Sequence, residues 1–178
     1  MLKNLTTERL FLRNYEMNDL QNFHSLYSNS EVLNFSNNIP HEDISESKKI
    51  LSVIIKNYSD NKSSVKALFL KSNKCYIGEA GVFSYNESNK RAVIGYNILP
   101  DYWGKGYATE ITKELVRVLF FDNQLERIEA LVMSGNNASI KVLEKNGFIC
   151  EGRLRNFSFV NNEFKDVFYY GLIKSDLI

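Results

Sequence analysis

Short apolar runs alternate along the chain with polar stretches of turn composition. Leu10-Phe11-Leu12-Arg13 follows a polar start and reads as a first strand, since aliphatic and aromatic residues favour extension. Asn18 can cap a helix in which Leu20, Phe23 and Tyr27 recur at helical spacing. Beyond Pro40, Ile44, Leu51, Ile54, Ile55 and Tyr58 carry a second helix, and the Asn/Ser/Asp/Lys cluster at 59–64 reads as a loop. Strand-like runs follow at 65–70, 76–85 and 92–99, and the turn residues at 86–90 predict an antiparallel meander.

Pro100 closes the third of these runs and a glycine turn comes next. Ala108, Ile111, Leu115, Val118 and Asp122 then fall at steps of three and four, so 107–121 is expected to be an amphipathic helix. The segment 127–133 reads as a strand, 138–145 as a helix stopped by Gly147, and 148–160 and 164–173 as strands joined at Asn161-Asn162-Glu163. No repeat interrupts the order. It predicts one α/β (α+β) domain over 1–178, with a central sheet of seven strands flanked by four helices.

Composition narrows the class without naming a chemistry. A hydrophobic fraction of 44% in 178 residues supports a sizeable core. A net charge of +1 with scattered Lys and Arg provides no footprint for nucleic acid or a membrane surface. No apolar run approaches a membrane span, and the first nine residues lack the apolar core of a signal peptide. Cys75 and Cys150 are isolated, so no disulfide or metal site is expected; both read as strand residues in a reducing cytoplasm.

The chemistry enters at Trp103-Gly104-Lys105-Gly106-Tyr107-Ala108-Thr109, between a strand and a helix. Glycines permit conformations and close approaches that a side chain blocks. A helix start offers unpaired N–H groups and the positive end of its dipole, so an anion can bind there. Gly-x-Gly alone is common and more often marks a structural turn. The spacing fits neither a P-loop nor a dinucleotide fingerprint.

The wider run from Ile94 to Glu110, containing Asn97-Ile98-Leu99-Pro100-Asp101-Tyr102-Trp103-Gly104-Lys105-Gly106-Tyr107-Ala108-Thr109, resembles the acetyl-CoA motif of GNAT N-acetyltransferases. It looks most like the branch containing the ribosomal-protein N-terminal acetyltransferases. Asn136-Asn137-Ala138-Ser139, Asn146-Gly147-Phe148, Glu151-Gly152-Arg153-Leu154-Arg155, Tyr169-Tyr170-Gly171-Leu172 and the opening Thr7-Glu8-Arg9-Leu10-Phe11-Leu12-Arg13 extend the likeness over nearly the whole chain.

The resemblance implies a mixed, mainly antiparallel sheet with two strands splayed at the acyl-CoA site. The CoA pyrophosphate would rest on the N–H groups of Gly104, Lys105, Gly106, Tyr107, Ala108 and Thr109. Pantetheine would run beside Ile98 and Leu99 and meet Asn136, with Ser139 near the sulfur to protonate the departing thiolate. Asn136 and Ser139 can equally be helix caps. The usual Gln or Arg at the start of the loop is Trp103 here.

Amide formation needs a neutral amine, so a base must take a proton. Some relatives have a Glu on the strand after Glu151-Gly152, where this chain has Ser158. Glu79, in Ile77-Gly78-Glu79-Ala80-Gly81, is the remaining candidate, against the alternative of a charge on a solvent face. Tyr96 and Tyr169 are weaker candidates; His24 and His41 read as surface residues. The expectation is direct acetyl transfer from acetyl-CoA, as cosubstrate without a metal, to a primary amine of a protein N-terminus or small molecule. The enzyme would act as a monomer or homodimer; the competing reading is a catalytically weak acyl-CoA-binding regulatory module.

Overall fold

The computed structural model describes residues 2–59 and 64–177. Leu5–Thr6 (β1) pairs antiparallel with Leu10–Arg13 (β2), whose side chains alternate between the two sides of the sheet. Leu10 and Leu12 enter one apolar cluster while Phe11 packs against another. Asn18 does not cap the helix Leu20–Tyr27 (α1). It lies in a 3-10 turn, Met17–Asp19, where the buried Asp19 carboxylate accepts from the Glu16 amide at 2.8 Å and ties down Arg13. A one-turn helix, Ser30–Leu33 (α2), follows; the Asn29 side chain caps it by accepting from the amides of Glu31 and Val32. The second long helix is Ile44–Ser59 (α3). Residues 60–63 of the expected loop lie outside the described residues.

Ser64–Leu70 (β3), Tyr76–Asn86 (β4) and Arg91–Ile98 (β5) form the expected antiparallel meander. After the glycine turn, Tyr107–Arg117 (α4) runs into a π-helical turn at Val118–Asp122, so the expected continuous α-helix changes period near its end. Arg127–Met133 (β6), Asn137–Lys145 (α5), Ile149–Val160 (β7) and Glu163–Ile173 (β8) complete the chain. Asn161 and Asn162 have φ of 51° and 61°, which suits the tight turn of the final hairpin.

Among the described residues the sheet has eight strands, in the order β1-β2-β3-β4-β5-β6-β8-β7, and only β5–β6 is parallel. The expected class holds; the additional strand is the two-residue β1, and the additional helix is the single turn α2. One face packs on α4 through Ile111 and Leu115, the other on α1 and α3 through Phe23, Leu26 and Leu51. Cys75 lies in the turn before β4 and Cys150 in β7, both exposed rather than packed as small apolar residues. Among the described residues no helix is long and apolar enough to cross a membrane.

Candidate functional site

β5 and β6 set the geometry of the site. They pair only at Arg91–Arg127, Ala92–Ile128 and Val93–Glu129, and the ladder stops there. From Ile94 to Ile98, β5 is paired on its β4 side alone, leaving a wedge open towards the end of β6. The Leu99 amide donates to the Ile77 carbonyl on β4 at 2.9 Å, so alternation turns the Ile98 peptide groups into the wedge. There Trp103 Nε1 donates to the Ile98 carbonyl at 2.6 Å.

The chain leaves this wedge through the 3-10 turn Pro100–Tyr102 and enters the glycine turn. Gly104 and Gly106 have φ of 71° and 81°, a left-handed conformation that glycine adopts at little cost. Gly106 is the N-cap of α4 and brings no side chain to it. The first intrahelical bond runs from the Glu110 amide to the Gly106 carbonyl at 3.0 Å, so no carbonyl of the helix serves the amides of Tyr107, Ala108 and Thr109. A Cβ on Gly104 would meet nothing within 4 Å, so the backbone there is open to approach. Lys105 is exposed, with its ammonium 5.5 Å from the Tyr102 ring centre. Tyr107 and Ala108 are half-buried against the core.

Across the wedge, α5 starts at the end of β6. Asn136 is its N-cap and accepts from the Ser139 amide through Oδ1 at 3.1 Å, the capping alternative raised by the sequence. Ser139 has a second partner: Tyr96, from the half of β5 that faces the wedge, donates its hydroxyl to Ser139 Oγ at 3.1 Å. The Ser139 proton is therefore left to point elsewhere. Burial raises the Tyr96 phenol above its ordinary value, only partly opposed by the Ser139 contact, so Tyr96 holds its proton at neutral pH.

Glu79 faces the opposite side of the sheet, under α1, and is not a solvent-face charge: its exposure is 0%. Tyr27 donates to Oε1 at 2.7 Å, Asn97 Nδ2 to the same oxygen at 2.9 Å, and Tyr15 to Oε2 at 3.0 Å. Burial raises the Glu79 carboxyl above the usual carboxylate range, and the three donors oppose that rise without cancelling it. Tyr15 also contacts the buried Tyr76 hydroxyl at 2.8 Å, while Tyr27 and Asn97 are half-buried and link Glu79 towards the surface. Next to Tyr27 stacks His41, 5.2 Å between ring centres. His24 and His41 are half-buried rather than on the surface, their Nδ1 atoms 2.8 and 2.7 Å from the hydroxyl of buried Ser47. Burial lowers the His41 pKa.

Tyr169 lies elsewhere, on β8 across β6 from the wedge, where it joins the Arg127–Glu129 ion-pair cluster. Ser158 is buried at 4% exposure on β7. The structure thus gathers Ile98, Leu99, the 104–109 turn, Asn136 and Ser139 along one wedge. The residues Tyr15, Tyr27 and Asn97, not singled out in the sequence, join Glu79. Tyr27 sits at helical spacing beside Phe23 and reads as core; its hydroxyl partner is invisible without the fold.

This arrangement has counterparts among known proteins. Residues 9–149 match the acetyltransferase (GNAT) domain. The chain belongs to the GNAT acetyltransferase family. This GNAT protein is 31% identical to the uncharacterised N-acetyltransferase p20 of Bacillus licheniformis, over 98% of each chain. It is 30% identical to the putative ribosomal N-acetyltransferase YdaF of Bacillus subtilis, over 67% of this chain and 64% of YdaF. Its fold matches the Vibrio cholerae spermidine N-acetyltransferase solved with CoA and spermine, at a TM-score of 0.83 and 25% identity, covering 94% of this chain and 96% of that one. As a GNAT member it is an acyltransferase, and the residues lining the wedge are its candidate donor site.

Proposed function

We propose that this GNAT enzyme transfers an acetyl group from acetyl-CoA directly to a primary amine. The observation that carries the reading is the wedge between β5 and β6, open from Ile94 onward and ending at a turn of unpaired helix amides. The amides of the 104–109 turn suit a diphosphate, and Lys105 adds positive charge at its rim. The inward-turned Ile98 peptide and Leu99 would align pantetheine as a strand aligns its neighbour, with Asn136 on the opposite wall. A backbone N–H facing the wedge can stabilise charge on the thioester oxygen during attack, a contribution of about 3 kcal/mol.

Two proton steps flank the attack. On the α5 side, Ser139 gives its hydroxyl proton to the departing thiolate and is reprotonated from solvent, while Tyr96 keeps its proton and steadies the transient charge on Ser139 Oγ by donating to it. On the α1 side, Glu79 is the final proton acceptor for the amine. Since Glu79 is inaccessible, the proton passes through Tyr27: its hydroxyl takes one proton as it hands its own to Glu79 Oε1. Tyr27 is held far above its ordinary pKa by burial and by the Glu79 charge, so the two transfers are concerted and no tyrosinate forms. Neither Cys75 nor Cys150 sits in a sequence motif that would activate a thiol, which favours direct transfer over a covalent acyl-enzyme.

The acceptor classes to test are a polyamine, after the spermidine N-acetyltransferase, and a protein N-terminus, as one form a ribosomal acceptor could take. A CoA-release assay over spermidine, N-terminal peptides, amino acids and aminoglycosides is expected to find turnover with at least one amine. Tight acetyl-CoA binding with no turnover on any of them would replace the enzyme reading with that of a regulatory acyl-CoA-binding module.

A further inference from the structure

The opening Thr7-Glu8-Arg9 segment lies about one hundred residues from the glycine turn in sequence, yet it is bonded to that turn at several points. Glu110 occupies the first turn of α4, beside the amides that would receive a phosphate. A free carboxylate there would compete with an anionic ligand for the positive end of the helix. Both of its oxygens are instead turned onto the N-terminal segment. Oε1 accepts from the Arg9 amide at 2.8 Å and from the Thr7 hydroxyl, and Oε2 accepts from Arg9 Nε at 2.6 Å. Burial pushes the Glu110 carboxyl up, but these bonds outweigh it and hold the group below the usual carboxylate range.

Arg9 also has a second face. Its guanidinium lies 4.6 Å from the Tyr107 ring centre, and Nη1 donates to the Lys105 carbonyl at 3.0 Å. In a planar trans peptide, the carbonyl of one residue and the N–H of the next point in opposite directions. Anchoring the Lys105 oxygen on Arg9 therefore aims the Gly106 N–H away from Arg9, and removes from the anion side an oxygen that would repel phosphate. The same guanidinium would stand 3.4 Å from a Cβ on Gly106, so the close fit of turn and arginine suits glycine at that position.

We infer that Thr7, Arg9 and Glu110 form a clamp that presets the glycine turn as a diphosphate receptor, with Arg9 the positioning residue that orients the Gly106 amide. This rests on the CoA reading given above. The Arg9 side chain is 44% exposed, and an ion pair so open to water adds little to stability. Its effect falls on the shape and charge of the turn.

The test is Arg9→Lys alongside Arg9→Ala, with CoA and ADP affinities measured by calorimetry and acetyl-CoA and acceptor kinetics by turnover. Lysine keeps the charge but cannot hold Glu110 and the Lys105 carbonyl together through one planar fork. The expected result is about a tenfold weakening of both CoA and ADP, the scale of one lost charge-assisted hydrogen bond. The KM for acetyl-CoA rises in step, while kcat, the acceptor KM and the melting temperature of Arg9→Lys stay as in wild type. Unchanged CoA and ADP affinity in Arg9→Lys, or a fall in kcat with KM unmoved, overturns the clamp alone. A wild-type protein that binds neither CoA nor ADP overturns the donor-site reading and the clamp with it.

Discussion

At the residue scale, Glu79 shows how far a carboxylate can differ from its sequence context. Among small and apolar neighbours a glutamate can be a solvent-face charge or a base, and the sequence leaves both open. The partners that decide its state are Tyr15, Tyr27 and Asn97, which come from three separate segments and meet only in the folded sheet. Because burial raises the carboxyl, the ionised form is the one disfavoured in the folded protein, and it becomes populated only as pH climbs through that raised value. A base must be ionised, so the wild-type rate should rise with pH through a limb above the ordinary carboxylate range. Glu79→Gln should remove that limb and lower kcat by roughly a hundredfold or more on the plateau, where wild-type Glu79 is charged. A pH–rate profile of the variant that keeps the limb would take Glu79 out of the mechanism. Ser139 differs in kind: its helix-start position was legible from Asn136-Asn137-Ala138-Ser139, but its hydrogen bond from Tyr96 was not.

At the element scale, the sheet was legible because period-two alternation and turn residues mark both meander and hairpin. What escaped had a local physical reason. β1 has two residues, too few to show alternation, and α2 is a single turn held by the Asn29 cap rather than by an apolar stripe. Val118-Leu119-Phe120-Phe121 is apolar throughout, so nothing in its composition marks the change from α to π period. Asn18 suits a cap by residue type, whereas Asp19 provides the carboxylate that accepts from the Glu16 amide. The glycine turn was legible as a turn, and its left-handed φ values supply the reason for glycine there. Valine at Gly106 must adopt a conformation costing roughly 1–2 kcal/mol and crowd Arg9. Gly106→Val is expected to lose most of its CoA affinity in calorimetry while keeping a cooperative thermal transition. Affinity equal to wild type would remove the turn from the donor site.

At the scale of the whole molecule, the sheet separates the two proton routes of the proposed mechanism. The Tyr96–Ser139 pair lies on the face covered by α4 and α5, and the Glu79 network on the face covered by α1 and α3. The wedge between β5 and β6 joins the two faces, so donor and acceptor can approach from opposite sides without sharing a channel. The order of strands and helices was open to sequence reasoning because it depends on local periodicity. The wedge was not, since it arises from a pairing that stops after three residues, and only the family resemblance led to the expectation of a splay.

The indole bonded to the Ile98 carbonyl belongs to the chain's single tryptophan. Trp103 is therefore an intrinsic optical reporter at the mouth of the wedge, with no background from other indoles. A pantetheine amide donating to the Ile98 oxygen shares or displaces the indole's acceptor, altering the indole's hydrogen bonding and hence its emission. Titration with CoA should shift the emission maximum or intensity along a saturation curve that matches calorimetry, whereas ADP, which lacks the pantetheine arm, should bind with little optical change. Calorimetric binding of CoA that leaves the emission unaltered would mean that the ligand's arm does not reach Ile98.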